Sequence, residues 1–217
     1  RDGENAKRML ALGAKKIIKA TAANEEFLSK LPKDRVLVAI DAKNGHIATN
    51  GWAKTIDATP MDFVKRFNNY CSGFLYTIVE KEGMMGGTDM AAIKEIRNST
   101  SKELVAAGGI SDVEEIVELQ KNNISTQLGM CIYTGKVELE EAFVICLDFE
   151  KRFGYIPTIV QDVDTKQVLT LAYSTAESVR LALKTGKGTY FSRSRKSIWV
   201  KGETSGNTQE LVTARFD

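Results

Sequence analysis

Ser192-Arg193-Ser194-Arg195, then Trp199, Lys201 and Gly202-Glu203-Thr204-Ser205-Gly206-Asn207, crowd guanidinium, hydroxyl, ammonium and carboxylate groups into one short stretch. Arginine offers a planar fork of donors to a phosphate and lysine a compact charge, so the set Arg193, Arg195, Lys201, Glu203, Thr204 and Ser205 suits a phosphorylated, polar substrate. A solvated strand followed by a surface turn fits the same composition. Earlier in the chain, Ala107-Gly108-Gly109-Ile110-Ser111 runs from an apolar strand into a helical pattern, and the next apolar run ends at Gly129-Met130. Glycines there let backbone N–H groups approach an anion at a helix N-terminus, although a glycine pair serves equally well as a plain turn. Asp41 closes the run Val36–Ile40 and Thr77 closes the run from Gly73. A carboxylate at the end of a buried strand is placed for general acid or base work, or to face a nearby helix N-terminus.

The elements that must position these groups follow from periodicity. Up to about residue 150, β-branched runs alternate with helical segments, the mark of repeated βα units. Strands are predicted at Lys15–Ala20, Arg35–Asp41, Gly73–Thr77, Glu103–Ala106 and Ser125–Gly129. Thr59-Pro60 predicts one helix start, and Ser111 with Glu114 predicts a capping box for another. Five such units are three short of a closed (β/α)8 barrel, so either three units are missing or an open sheet replaces the barrel. After Arg152-Phe153-Gly154 the rhythm changes. Strands at Thr158–Asp162 and Gln167–Ala172 bracket the turn-like Asp164-Thr165-Lys166. Ser174 and Glu177 are predicted to cap a helix that Gly186 ends, followed by strands at Gly188–Arg193, Ser197–Lys201 and Gln209–Phe216. The domain boundary is expected near residue 155, dividing 1–152 from 156–217.

The 217 residues are 43% hydrophobic with 30 basic and 28 acidic side chains, which gives the core of an ordinary globular protein and a formal charge of +2. That balance gives no extended basic surface for nucleic acid, and no stretch approaches the roughly 18 apolar residues of a membrane span. No nucleic-acid or membrane partner is expected, and the cytoplasm is the expected compartment. Cys71, Cys131 and Cys146 are odd in number and sit in apolar runs, which predicts buried thiols. Arg1 in place of an initiator Met, and Asp217 at the end of a strand-like run, suggest a chain cut from something longer.

Read in order, Arg1-Asp2-Gly3, Thr21-Ala22-Ala23, Val38-Ala39-Ile40-Asp41-Ala42-Lys43-Asn44-Gly45, Gly51-Trp52, Tyr76-Thr77, Glu82-Gly83, Ala107-Gly108-Gly109-Ile110 and Gly129-Met130 resemble the ProFAR isomerase family. The resemblance covers about residues 1–145. It implies strands four to eight of a (β/α)8 TIM barrel whose chemistry is an Amadori rearrangement of a substrate with two ribose phosphates. It further implies that Asp41 is the general acid, that Thr77 stands beside it, and that Thr21, Gly108, Gly109, Gly129 and Met130 hold phosphate. The family's general base lies on the first strand, outside this sequence. Ile78 stands where an Asp commonly follows the Thr, and Ala20 where a phosphate-loop glycine is usual. Two alternatives follow: a non-catalytic module for dimerisation or phosphate binding, or a barrel of the imidazole glycerol phosphate synthase type. The short Asn44–Trp52 connection favours the isomerase.

The later string Val168–Tyr173, Thr185–Gly188, Tyr190–Arg195 and Trp199–Asn207 resembles phosphoribosyl-AMP cyclohydrolase. The resemblance implies a small α+β domain, truncated at its C-terminus, that opens the adenine ring of phosphoribosyl-AMP. Zinc would activate water and magnesium would hold substrate in the full-length parent. Asp217 matches a magnesium ligand, and the zinc ligands would lie beyond it. This chain by itself is expected to be inactive and to bind no metal tightly. The family also implies a homodimer formed through this domain and a phosphoribosylated small molecule as substrate.

Overall fold

In residues 3–20 and 24–216, which the computed structural model describes, alternating apolar runs and amphipathic segments form the expected elements. The first compact unit, residues 1–137, holds α1 (Gly3–Ala11), β1 (Ile17–Lys19), α2 (Glu25–Leu28), β2 (Val36–Lys43), β3 (His46–Thr49), β4 (Lys54–Ile56), α3 (Pro60–Phe67) and β5 (Gly73–Ile78). It continues with α4 (Met90–Ser99), β6 (Glu103–Ala107), α5 (Val113–Lys121), β7 (Ser125–Thr126) and α6 (Met130–Tyr133).

Strands β1, β2, β5, β6 and β7 pair in sequence order, each parallel to the next. A doubly wound sheet reverses its order at a switch point, whereas an unreversed order is the winding that curls towards a barrel. Side chains alternate between the faces. Val36, Val38, Ile40, Phe74, Tyr76, Leu104 and Ala106 fill one face, and α3 packs on β2 with Phe63, Val64 and Phe67 buried. The other face carries a thin layer of Ala39, Leu75 and Ala107 with Val105 against it. Lys16 and Glu103, at the start of this same face on strands three places apart, form an ion pair. On a flat sheet those strands would stand about 14 Å apart, so the face is concave. Gly73 lies beneath this pair and has to be glycine, because a Cβ would come within 2.4 Å of the Glu103 carbonyl oxygen.

The connection from Asn44 to Trp52, read from sequence as a short link, is a hairpin arm. Asn44 and Gly45 both adopt positive φ, 51° and 78°, the geometry of a two-residue turn between antiparallel strands, and Lys43 pairs with His46 across it. Strands β3 and β4 extend from the end of β2 in consequence.

Residues 138–217 form the second unit, with α7 (Leu139–Val144), β8 (Ile156–Gln161), β9 (Val168–Ser174), α8 (Ala176–Thr185), β10 (Thr189–Ser192) and β11 (Ser197–Val200). The change of unit falls at 137/138, whereas the sequence rhythm suggests residue 155. The reason is that α7 packs on α8, where Arg180 forks onto the Glu141 carboxylate. β8 and β9 form the predicted hairpin, its turn gathered by the Asp162 carboxylate, which accepts from the Asp164 and Thr165 N–H groups and the Thr165 hydroxyl. Those bonds hold the Asp162 carboxyl below its ordinary pKa, the Thr165 N–H first among them.

Several details differ from the reading of the sequence. The cap of α5 is Asp112 rather than Ser111, and that of α8 is Thr175 rather than Ser174. Either neighbour can cap, and in each case the first residue is drawn into another hydrogen bond: Ser111 to Glu115, Ser174 to Thr158. Residues 209–216 form no strand; only Lys187 and Glu210 make a bridge, and Val212 and Phe216 remain exposed. Gly186, with φ 67°, ends α8 as expected. Cys71 and Cys131 are buried free thiols, while Cys146 is half-buried.

Candidate functional site

The parallel register fixes the first unit's site. Asp41 on β2 pairs with Thr77 on β5, and Thr77 pairs with Ala107 on β6. Thr77 is buried and Asp41 half-buried, both at the C-terminal end of the concave face, above Ala39 and Leu75. Gly108 and Gly109 follow Ala107 directly, with φ of 98° and 80°. Neither tolerates a side chain: a Cβ on Gly108 would lie 2.5 Å from the Ile78 carbonyl oxygen, and one on Gly109 would lie 2.6 Å from that of Gly87. The turn therefore runs tightly against the loop that follows β5.

A cleft opens at this turn, lined by Gly108, Gly109, Ile110, Gly129, Met130, Gln127, Met85 and Glu82 among others. It brings together four of the sequence-predicted phosphate residues, Gly108, Gly109, Gly129 and Met130. Among the described residues, no acceptor takes the Gly109 or Ile110 N–H. Glu82 works against an anion, since its Oε1 stands 4.0 Å from where a Gly129 Cβ would be. Sequence reasoning misses Glu82, Met85 and Gln127 as lining residues, and the Glu82-Gly83 pair is the signal available for the first. Thr21 lies outside the described residues.

Two contacts tie the hairpin arm to this end of the sheet. The Glu80 carboxylate accepts from the Asn44 N–H, and Lys43 Nζ donates to the Trp52 carbonyl oxygen at 3.3 Å. Behind the site, on the opposite face of β5, burial pushes the Tyr76 hydroxyl up to about 12, with Asp89, Glu80 and Glu95 adding in the same direction.

In the second unit the strand predicted to reach Arg193 stops one residue short of it, and Arg193 and Arg195 share no strand face. β10 ends at Ser192 and β11 begins at Ser197, so Arg193, Ser194, Arg195 and Lys196 make the connecting loop, with Lys196 at φ 52°. A hairpin has to spend these residues on its turn, which removes the alternation that would have aligned the two guanidiniums. The Arg193 guanidinium lies 3.5 Å over the Tyr173 ring, and Tyr173 meets Tyr155 edge to face. Arg195 folds back, its N–H and Nε both donating to the Ser192 hydroxyl at 3.3 Å. Lys201 is half-buried and its N–H donates to the Gly188 carbonyl, while Glu203, Thr204 and Ser205 are exposed in the following turn. Gly202, φ 86°, closes that turn so tightly that a Cβ would meet the Asn207 carbonyl carbon at 2.4 Å. Trp199 packs on Tyr190, whose hydroxyl donates to Gln209.

Asp217 lies outside the described residues, among which no group of three His, Cys, Asp or Glu side chains could hold a metal ion. The described residues therefore do not make a zinc site.

Two family models match. Residues 1–138 match the family described as histidine biosynthesis protein, and residues 170–217 match phosphoribosyl-AMP cyclohydrolase. A 1-(5-phosphoribosyl)-5-((5-phosphoribosylamino)methylideneamino) imidazole-4-carboxamide isomerase of Ruminiclostridium cellulolyticum is 35% identical over 151 residues, 66% of this chain and 64% of that protein. The isomerase of the same name from Archaeoglobus fulgidus is 34% identical over 158 residues, 70% of this chain and 65% of its own length. A phosphoribosyl-AMP cyclohydrolase of Nitrosopumilus maritimus is 62% identical over 71 residues, 33% of this chain and 66% of that protein. The chain thus spans slightly under two thirds of each of these relatives. No helix among the described residues is long and apolar enough to cross a membrane.

Proposed function

The chain belongs to the histidine biosynthesis protein family, and from that premise we propose that it carries parts of two ribotide-processing activities. Its five parallel strands are read as strands four to eight of a (β/α)8 barrel of the isomerase kind, and its second unit as part of a phosphoribosyl-AMP cyclohydrolase acting as a homodimer in the cytoplasm. The observation that carries the first half is the row Asp41, Thr77, Ala107 leading straight into the Gly108-Gly109 turn. From Asp41 to that turn is two strand spacings, roughly 10 Å. That length suits a ribose 5-phosphate with its sugar at the carboxyl and its phosphate at the glycines.

An Amadori rearrangement of a ribosylamine begins with proton donation to the sugar ring oxygen, which opens the ring. Asp41 is the group assigned to that transfer, with Thr77 as its hydrogen-bonding neighbour and the Gly109 and Ile110 N–H groups as phosphate donors. The proton removed in the second half goes to a base on a strand other than these five. In the second unit Arg193, Arg195, Lys201, Glu203, Thr204 and Ser205 are assigned to substrate. Zinc and magnesium would belong to residues outside the described donor set.

A second reading keeps the barrel half as a phosphate-holding module without turnover. Buried Ile78 favours it, because it occupies a position where the family commonly has an Asp. Ketose formation from the isomerase substrate, followed in a protein that joins these residues to a complete barrel, decides between them. Turnover lost in Asp41→Asn establishes the catalytic reading, and no turnover in the unaltered protein establishes the module.

A further inference from the structure

The cleft at Gly108-Gly109 is built from two loops that share little backbone. One follows β5 and contains Gly87 and Thr88; the other follows β6 and contains Gly109 and Ser111. Gly87 donates its N–H to the Gly109 carbonyl at 3.2 Å, and the Thr88 hydroxyl is buried without a hydrogen-bond partner. A further tie is made by one side chain. Glu115, in the first turn of α5, accepts from the Thr88 N–H at 2.7 Å through Oε1 and from the Ser111 N–H at 2.8 Å through Oε2. Its Oε2 also takes the Ser111 hydroxyl at 3.2 Å. One carboxylate thereby satisfies donors from both loops, and charge-assisted bonds to backbone N–H groups are the stronger kind.

Resting on the reading that this cleft takes a phosphate, we propose that Glu115 is a positioning residue: it staples the two loops so that the glycine turn keeps its donors aimed into the cleft. It has no need to touch the anion, and its charge opposes one. This gives the test a sign. A Glu115→Gln substitution removes a negative charge near the cleft, which on electrostatics alone tightens anion binding. It also puts an NH2 group opposite either the Thr88 N–H or the Ser111 N–H, which on the staple argument loosens the loops and weakens binding. Gln is also tolerated at this position of a helix's first turn, so α5 should persist.

The experiment titrates inorganic phosphate into the full chain, reading backbone amide shifts at Gly109 and Gly129, alongside hydrogen exchange of segments 83–88 and 108–111. In Glu115→Gln, phosphate binding should weaken about tenfold while exchange in both segments speeds up and the melting temperature stays within a few degrees. Ser111→Ala, which removes only the hydroxyl, should retain most of the affinity and protection that Glu115→Gln loses. Unchanged or tighter phosphate binding with unchanged exchange overturns the staple. Should the unaltered chain show no shifts at Gly109 and Gly129, the phosphate reading of the cleft fails. The exchange arm then still decides: lost protection in Glu115→Gln upholds the staple, and retained protection overturns it.

Discussion

Asp41 and Thr77 are register partners across two parallel strands, and both project from the concave face of the sheet at its C-terminal end. Side chains at this position meet substrate in (β/α)8 enzymes, whereas the layer beneath, Ala39 and Leu75, only fills space. On the proposed isomerase reading, the pair carries chemistry and the layer beneath it folding. In a protein completing the barrel, Asp41→Asn should lower ketose formation by about 10²-fold or more, the usual scale for loss of a general acid. Thermal unfolding should barely change, since Asp41 is only half-buried. A variant that keeps full turnover removes Asp41 from the mechanism.

The glycines of the cleft should respond unequally to a methyl group. Gly108 and Gly109 sit at positive φ, with carbonyl oxygens 2.5 and 2.6 Å from where a Cβ would stand, so Ala at either adds steric overlap to the cost of a left-handed backbone. That cost is about 1–3 kcal/mol per residue before the overlap, enough to lower the melting temperature by roughly 3 °C or more. Gly129 has negative φ, −124°, and its nearest neighbour is 4.0 Å away, so Gly129→Ala meets no steric overlap and should cost least of the three. Calorimetry on the three variants checks the order, and equal losses at all three sites would contradict it.

The parallel strands are legible in sequence because a strand buried on both faces reads as an unbroken apolar run, as Val36–Ile40 does. The arm of β3 and β4 is not, although Asn44-Gly45 carries the signal of the β2–β3 turn that opens it, because His46–Thr49 and Lys54–Ile56 are too short to show an alternation. The helix caps shift by one residue where two capping types adjoin, at Ser111-Asp112 and Ser174-Thr175; a bond within the first turn, to Glu115, occupies Ser111, and a cross-strand bond to Thr158 occupies Ser174. The glycine turn of the cleft, Gly108-Gly109, is legible from the strand-to-helix pattern. The arginine arrangement is not, since nothing in Ser192–Lys196 says which residues the turn will consume. Nor does a rhythm of strands reveal that α7 packs with the unit that follows it.

Burial of Tyr76 predicts an alkaline instability. Its hydroxyl titrates near 12 in the folded chain against an ordinary 10, chiefly because burial disfavours the phenolate. A pKa raised by folding means that the stabilisation is complete below pH 10 and is lost as pH rises from 10 towards 12, amounting to roughly 2–3 kcal/mol. Cys71 and Tyr190, both pushed up by burial, act in the same direction. Urea unfolding between pH 9 and 11.5 should therefore show falling stability, and Tyr76→Phe should flatten part of that fall. A Tyr76→Phe profile parallel to the unaltered chain would show that another group is responsible.

Metal content offers a direct check on the second unit. Cys146 is its only cysteine, it holds no histidine, and the described residues contain no cluster of metal-ligating side chains. Tetrahedral zinc sites draw on three or four such ligands, so the purified 217-residue chain should carry far less than one zinc per molecule. One tightly held zinc per chain would overturn this.

Arg193 and Arg195 occupy the same loop but are held differently, and this predicts different responses to lysine. The Arg193 guanidinium lies 3.5 Å over the Tyr173 ring, a cation–π contact that holds the charge in place. Lysine keeps the charge and loses both the flat stacking and the fork. The Arg195 side chain is exposed and, among the described residues, its guanidinium makes one bond, from Nε to the Ser192 hydroxyl at 3.3 Å. In a protein with cyclohydrolase activity, Arg193→Lys should lower turnover of phosphoribosyl-AMP about tenfold or more, the scale of about 1.5–3 kcal/mol for a charged hydrogen bond. Tyr173→Phe should retain activity and Tyr173→Leu should reproduce the arginine defect, because the ring face and not the hydroxyl orients the guanidinium. Arg195→Lys should cost less than Arg193→Lys, since less of its preorganisation is lost. Trp199→Phe supplies the contrast: packed on Tyr190, it should lower the melting temperature more than the rate. Unaltered kinetics in both arginine variants, at an unchanged melting temperature, would return the loop to a solvated surface turn.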